Sequence, residues 1–572
     1  MSEQLTITTE RVDDIPILTA SAQKLGVPEL LDEHFVVHGN WNGLRPGNML
    51  AGWLTHILSE ADHRLNRVQD WAAKRLATLR GCLSEDVTAL DFSDDRLAAG
   101  LDLLSDDERW ARFETALNQR TLRVYDLRAK RVRIDTTTGS GYWQVTEDGL
   151  FQYGHSKDHR PDLPQMKVVL AALDPMGMPV ATQVVAGNQA DDPLYIPAID
   201  QVRAGIGSRG LLYIGDCKMM ALDTRTHLVA GADEYLGPFS QVQVSQEQLE
   251  RYLEAVWAGE QALTTMERRG ADGKMERIAE GFERCETLTA LENGKELIWN
   301  ERRLVIRSLS HAKSATAAFE ARLQKAQAVI QALAERKQGK EVYTEVEALH
   351  QAAEKVLEQH EVQGLLHFTV TEQVQEHHVR KYGERPAETR IERQLAIAVQ
   401  RDEIAIQEAI RRLGWRVYGT NCAAEELSLE QAVFAYREEY LVERCFGRLK
   451  GKPLSLTPMY LEDDRRATAL TRLLSIGLRI LTLLEHVARC HLSEKNEKLS
   501  GLYAGNPTRA TERPTTEAML QAFKDIFLNF VTVGTQTYCH LSPLSELQQK
   551  VLALLDLPTS IYTQLANFSN SS

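Results

Sequence analysis

Gly210-Leu-Leu-Tyr-Ile-Gly-Asp216 is a continuous apolar run that stops on a carboxylate. A run this short and this apolar reads as a strand covered on both faces. Upstream, Arg131-Val-Arg-Ile-Asp135 has the same form, an apolar-alternating strand that ends on an aspartate. Between the two, residues 166–173 and 178–185 flank Asp174-Pro-Met-Gly177, whose Pro and Gly suit a tight turn, so they predict a hairpin. Residues 193–204 read as a helix, and the short run Leu122, Val124, Tyr125 reads as a strand that opens the region. Strand, hairpin, helix, strand is an α/β order.

Further out, residues 1–120 read as helical, with Leu- and Ala-rich periodicity at 47–58 and 94–104 and no strand pattern. On the other side, 226 residues separate Asp216 from Glu443, too many for a loop, so a domain is inserted there. Phe319, Leu323, Ala326, Ile330 and Leu333 recur at spacings of four and three, and so do Val342, Val346, Leu349, Ala353 and Val356 beyond Gly339. That pattern predicts an antiparallel helical hairpin over 312–362, either self-supporting or serving as a dimerisation or DNA-clasping arm. From about Asn506 the chain reads as a Pro- and Thr-rich loop followed by amphipathic helices at 516–530 and 544–555. The expected division is 1–120, helical and a possible DNA-end binder; 121–240, the first part of an α/β core; 241–427, the insertion; 428–490, the rest of the core; and 491–572, a helical end.

Composition fits a multi-domain globular chain: 572 residues, 43% hydrophobic and 26% charged. The start has neither the basic nor the apolar stretch of a secretory signal. Arg472 and Arg479 interrupt the apolar stretch 470–484, which reads as a buried helix and not a membrane span. Seven cysteines without a C-x-x-C point to the reducing cytoplasm. His486, Cys490 and His491 share a helical turn but lack a second ligand pair, so they read as structural. The net charge of −14 means that any nucleic-acid surface is a local basic channel within an acidic protein.

Ser428 and Gln431 form a capping-box pattern that starts a helix predicted to run to about Leu449. On such a helix Tyr436, Glu443 and Lys450, seven apart, share one face. Alone this is an amphipathic core helix with a charged stripe, since Val433, Leu441, Phe446 and Leu449 give it an apolar side. The two strand-end aspartates change that reading, because a carboxylate at the end of a buried strand is costly unless a cation compensates it. Asp135, Asp216 and Glu443 together form an all-oxygen set suited to two Mg²⁺ or Mn²⁺ ions and to metal-assisted phosphoryl transfer. Neither H-E-x-x-H, nor G-x-S-x-G, nor a phosphate loop occurs.

Three stretches, Gly154-His-Ser-Lys-Asp-His-Arg-Pro-Asp162, Ile-Gly-Asp216 and Tyr436-Arg-Glu-Glu-Tyr-Leu-Val-Glu443-Arg-Cys-Phe-Gly-Arg-Leu-Lys450, resemble the cut-and-paste bacterial insertion-sequence transposases of the family-four group, over about Arg131 to Leu484. The resemblance implies an RNase H-like mixed-sheet core interrupted by the insertion, with helical ends. It implies a DDE triad of Asp135, Asp216 and Glu443, which would hold two Mg²⁺ or Mn²⁺ ions and first cut, then join DNA. Terminal inverted repeats and target DNA would be the partners, with a homodimer in the synaptic complex. Tyr436 and Lys450 match signature positions and imply contacts to the transferred strand; Lys157, His159 and Arg160 become phosphate contacts or, equally, a surface turn. The signature Arg is absent, its position being held by Glu439. Trp299 and Trp415 suit core packing, or stacking on a displaced base. A metal nuclease without strand transfer, an inactive transposase-derived DNA-binding protein and a helical scaffold stay open as alternatives.

Overall fold

Arg131 to Ser140 strings together β-branched and small polar residues, and it forms a ten-residue strand paired along both edges. The computed structural model describes residues 5–37, 39, 41–270, 273–335, 343–379 and 388–568. The chain divides into two compact units, Met1–Gly237 with Thr287–Asn300 and Thr420–Ser572, and Pro238–Glu286 with Glu301–Gly419.

In the first unit the strands are β1 (Leu5–Arg11), β2 (Arg131–Ser140), β3 (Gln165–Leu173), β4 (Met178–Ala186), β5 (Leu212–Ile214) and β6 (Glu234–Pro238). Five of them form a mixed sheet in the order β4-β3-β2-β5-β6. β3 runs antiparallel to both β2 and β4, and the expected hairpin is present; β5 is parallel to β2, and β6 to β5. All nine residues of β3 are buried. Helices Tyr195–Ile206 and Asp464–Glu494 pack on β4, and helix Tyr440–Lys450 packs on β2, so the unit is a layered α/β structure. Asp464–Glu494 is long and apolar enough to cross a membrane, yet 94% of its apolar window is buried inside the protein, which makes it a core helix. Its two arginines are accommodated individually: Arg472 donates to Leu104 O at 2.8 Å and pairs with Asp107, while Arg479 faces the buried Glu114.

The second unit carries β7 (Thr264–Arg269), β8 (Met275–Glu292), β9 (Lys295–Ser308), β10 (Leu366–Val379), β11 (Glu388–Arg401) and β12 (Trp415–Thr420), with the tips of β8 and β9 belonging to the first unit. The two heptad segments are helices Leu309–Leu333 and Val346–Gln359; Val342 and Gly339 lie outside the described residues. Phe319, Leu323, Ala326 and Ile330 pack with Ala353, Val356 and Leu357. The helices do not support themselves alone, for Leu366, Phe368, Ile397 and Val399 of the β10–β11 ribbon close the same cluster. Trp299 and Trp415 are core residues, their indole N–H groups donating to Tyr235 Oη at 3.0 Å and to Arg411 O at 3.1 Å.

Several expectations are overturned. The ends are not purely helical: β1 pairs antiparallel with β13 (Phe527–Val533), from Leu5↔Val533 to Arg11↔Phe527, and β14 (Gln536–Leu541) completes a three-stranded sheet. The helix expected over 516–530 therefore stops at Gln521, because Phe527-Leu-Asn-Phe-Val-Thr-Val533 is rich in strand-forming residues and finds a partner. Leu122 and Val124 are the last turn of helix Asp107–Val124 and not a strand; Trp110, Phe113, Leu117 and Thr121 bury one helical face as far as that end. Asp135 is in the middle of β2 and not at its end, since Thr136 to Ser140 continue pairing with β3. The helix expected from 429 to 449 is two helices, Leu429–Arg437 and Tyr440–Lys450.

Candidate active site

β2 and β5 pair in parallel with Arg131 opposite Leu212, Val132 opposite Tyr213 and Arg133 opposite Ile214. Asp135 lies two residues past Arg133 within β2, and Asp216 lies two past Ile214, just beyond the end of β5. Their side chains sense each other: burial pushes the Asp135 carboxyl up, Lys157 and the Thr136 N–H oppose this, and the charge of Asp216 adds to the rise. The backbone packs closely at Gly215, where a Cβ would meet Met219 Sδ at 2.7 Å and Ile134 O at 3.2 Å and would displace the Met219 side chain.

Asp216 is held from two directions. Tyr195 donates its hydroxyl to Oδ1 at 2.6 Å, and the Lys218 backbone N–H donates to the same oxygen at 2.9 Å. Tyr195 is buried, which raises its phenol well above the ordinary value, and the neighbouring Asp216 charge raises it further, so it acts as a neutral donor. Asp135 accepts from Thr136 N at 2.7 Å.

Lys157 is the cation of the site. Its Nζ donates to Thr136 O at 2.7 Å and Thr136 Oγ1 at 2.6 Å, and lies 3.4 Å from Asp135 and 3.7 Å from Asp191. Asp191, in the turn before Tyr195, accepts from Lys167 at 2.6 Å and from Thr136 Oγ1 at 3.2 Å. Partial burial works against its ionisation, but the Lys167 hydrogen bond and the two lysine charges bring it below the usual carboxylate range. Sequence reasoning missed Tyr195 and Asp191; the carboxylate pair Asp191-Asp192 directly before a helix was the available signal for the second.

The structure separates the other expected residues. Lys450 donates to Thr138 O at 3.1 Å and pairs with Asp158, one strand turn along β2 from Asp135. His159 and Arg160 are exposed, and Arg160 is engaged bidentately by Asp162 at 2.8 and 2.7 Å, so of that basic cluster only Lys157 reaches the carboxylates. Glu443 is exposed in the first turn of Tyr440–Lys450.

Tyr436 lies in the last turn of the preceding helix, Leu429–Arg437, so it does not share an unbroken helical face with Glu443 and Lys450. The cause is a side chain inserted in the ladder: Arg133 Nη2 takes the Ala435 carbonyl at 2.7 Å, and the Glu439 N–H, which would pair with it, turns to Tyr436 O at 3.1 Å. The tightened turn leaves Glu439 half-buried beside Tyr436, which hydrogen-bonds it. Burial raises the Glu439 carboxyl, and the charges of Asp135, Glu443 and Asp216 raise it further. The four carboxylates therefore lie within electrostatic reach of one another, and their oxygen donors are the type that hard divalent cations take. Away from this site, Glu234, Cys422 and Glu426 bring ligand atoms within 4.8 Å of one another. His491 turns from Cys490 to Leu554 O at 2.8 Å, which leaves the His486, Cys490, His491 trio structural.

No family model and no curated protein matches the sequence. A solved structure, the piggyBac transposase synaptic complex with hairpin DNA, is similar at a TM-score of 0.31 and 8% identity, covering 98% of this chain and 87% of that one. A likeness of that degree assigns neither fold nor activity here.

Proposed function

We propose that this chain is a DDE transposase that cleaves DNA at element ends and transfers the freed strand into target DNA. The observation that carries this reading is that Asp135 on β2 and Asp216, two residues past the parallel strand β5, lie close enough for the Asp216 charge to act on Asp135; Glu443, on a helix packed on β2, is the proposed third carboxylate. The mixed sheet, three antiparallel strands followed by two parallel ones, supports reading this unit as an RNase H-like core. The motifs around Gly154–Asp162, Asp216 and Tyr436–Lys450 support the same family.

Asp135, Asp216 and Glu443 would hold Mg²⁺ or Mn²⁺, which supply Lewis acidity and lower the pKa of an attacking water or hydroxyl. The first step adds water oxygen to the phosphorus at the element end and breaks the P–O3′ bond, leaving a 3′-hydroxyl and a 5′-phosphate. The second adds that 3′-oxygen to a target phosphorus and breaks the target's P–O3′ bond, the attacking hydroxyl giving its proton to solvent and the departing 3′-oxygen taking one up to leave as a hydroxyl. Tyr195 and the Lys218 N–H orient Asp216, while Lys157 balances Asp135 until DNA and cations arrive. Lys157, Lys450, Tyr436, His159 and Arg160 are the proposed DNA contacts, and a homodimer is proposed for the synaptic complex in the cytoplasm.

The test is to incubate the protein with a plasmid carrying its gene and native flanks plus Mg²⁺ or Mn²⁺, beside Asp135→Asn. Excision at defined flanks with joined products, lost in the variant, is expected. Cleavage without joining would make it a nuclease, and DNA left intact by both proteins would sink the enzymatic reading in favour of a DNA-binding descendant.

A further inference from the structure

We propose that the cleft between Tyr142 and Tyr460 receives an unpaired base of the DNA strand that runs along β2 from the catalytic carboxylates. The inference rests on the transposase reading for the presence of that strand.

Beyond Asp135, β2 continues to Ser140, and five residues at about 3.3 Å each put the strand end about 17 Å from the carboxylate site. A cleft opens there, bordered by Ser140, Tyr142, Trp143, Arg160, Tyr460 and Glu462, with a free volume of about 540 Å³. That is within the range of about 300–1,000 Å³ usual for sites that take small flat ligands.

The walls of the cleft are aromatic. Tyr142 and Tyr460 are 87% and 62% exposed, and two large rings left in water beside one cleft suit a binding surface better than a packing one. The buried Trp143 is fixed beside them: it stacks on Phe151 with ring centres 4.1 Å apart, and its indole N–H donates to Leu461 O at 3.0 Å. Tyr460 is steadied from behind by His63, with ring centres 5.8 Å apart. Rings held in this way take a flat partner by stacking, and every nucleobase has a π-face to offer. In a duplex both faces of a base are covered by its neighbours, so the base that enters is an unpaired one.

Cations mark the path from the carboxylates to the cleft and choose the occupant. Lys157 Nζ donates to Thr136 O, Lys450 Nζ to Thr138 O, and Arg160 stands at the cleft itself. The two carbonyl anchors are about 6.6 Å apart along β2. In a chain of net charge −14, a row of positive groups leading to an aromatic cleft fits a phosphate backbone with its base, where an apolar peptide would gain nothing from the row. A lysine has three N–H donors and an arginine five, so the pairing of Lys450 with Asp158 and of Arg160 with Asp162 leaves donors over for phosphate.

The experiment titrates the full-length protein, in EDTA, against a fluorescein-labelled oligothymidylate of about 16 nucleotides that carries 5-iodouracil, and reads anisotropy and then photo-crosslinks by mass spectrometry. Wild type is compared with Tyr142→Leu, Tyr460→Leu and the two Tyr→Phe variants. Loss of one stacking ring predicts binding about ten-fold weaker in each Leu variant, with wild-type affinity in the Phe variants and crosslinks at Tyr142 or Tyr460. Tyr142 is too exposed for its replacement to disturb the fold, and thermal melts check Tyr460→Leu. Wild-type affinity in both Leu variants, crosslinks elsewhere, or no binding by the wild type overturns the inference; if the wild type still excises and joins plasmid DNA, the transposase reading stands without it. Displacement of the oligonucleotide by equimolar thymidine monophosphate also overturns it, making the cleft a free-nucleotide site. Ring-dependent binding by a protein that neither cuts nor joins plasmid DNA would sink the transposase reading and leave the cleft as a single-strand site.

Discussion

Arg133 Nη2 donates to the carbonyl oxygen of Ala435 at 2.7 Å, joining a strand residue to a helix 302 positions later. The same Nη2 and Nε are bidentate to Asp174, at 2.8 and 2.7 Å, and the two side chains are 2% and 7% exposed. Removing one partner of a buried ion pair strands the other charge and typically costs about 3–5 kcal/mol. Arg133→Met should therefore lower the free energy of unfolding by about 3 kcal/mol or more, and Arg133→Met with Asp174→Leu should recover part of the loss. Urea unfolding of the three proteins decides it; a wild-type midpoint in the single variant would mean the pair does not hold the helix ends.

That contact also marks the limit of what sequence can say. The hairpin at 165–186 and the apolar strand before Asp216 are local patterns, and they were legible because the turn residues and the apolar run lie within a few positions of each other. The break at Glu438–Glu439 was not: two glutamates, both good helix formers, stand at it, and the group that interrupts the helix arrives from β2. β1 was hidden for the same reason, since its partner lies more than 500 residues away. The position of Asp135 was misjudged because its strand was ended at the first carboxylate, whereas the threonines after it keep pairing. Glu439 was visible as a departure from a signature, but its nearness to Asp135 depends on the break.

Tyr195 should be needed for its hydroxyl and not its ring. Tyr195→Phe keeps the buried ring and leaves Asp216 with the Lys218 N–H as donor. A hydrogen bond to a charged group contributes about 1.5–3 kcal/mol, so the metal-free protein should lose about 2 kcal/mol of stability. Urea titration in EDTA measures this, and an unshifted midpoint would show that water replaces the hydroxyl at no cost.

Lys157 competes with cations for the same carboxylates. With Nζ 3.4 Å from Asp135 and 3.7 Å from Asp191, it supplies positive charge where a divalent ion would bring more. Lys157→Gln should tighten Mn²⁺ binding, on the order of ten-fold at low salt and less at high salt. Weaker Mn²⁺ binding in the variant would mean that Lys157 orders the site instead of competing for it.

Glu114 should give the protein a pH-dependent loss of stability. It is fully buried, and burial pushes its carboxyl from the ordinary 4.5 up to about 7, against the opposing pull of Arg479 and a hydrogen bond from Gln201. The Arg479 guanidinium is itself lowered by burial, with Glu114 opposing, so on both partners the desolvation outweighs their attraction. Between pH 4.5 and 7 the folded protein keeps a proton on Glu114 that the unfolded chain releases. Stability attributable to this group is therefore highest below pH 4.5 and falls as the pH rises to about 7, by up to about 3 kcal/mol, after which the penalty is constant. Glu114→Gln carries the neutral form at every pH and lacks that slope. Urea unfolding at pH 5 and pH 8 should show the variant gaining on the wild type as the pH rises; a variant that instead falls further behind at pH 8 would mean that Glu114 is ionised in the core and that its pairing with Arg479 outweighs the desolvation.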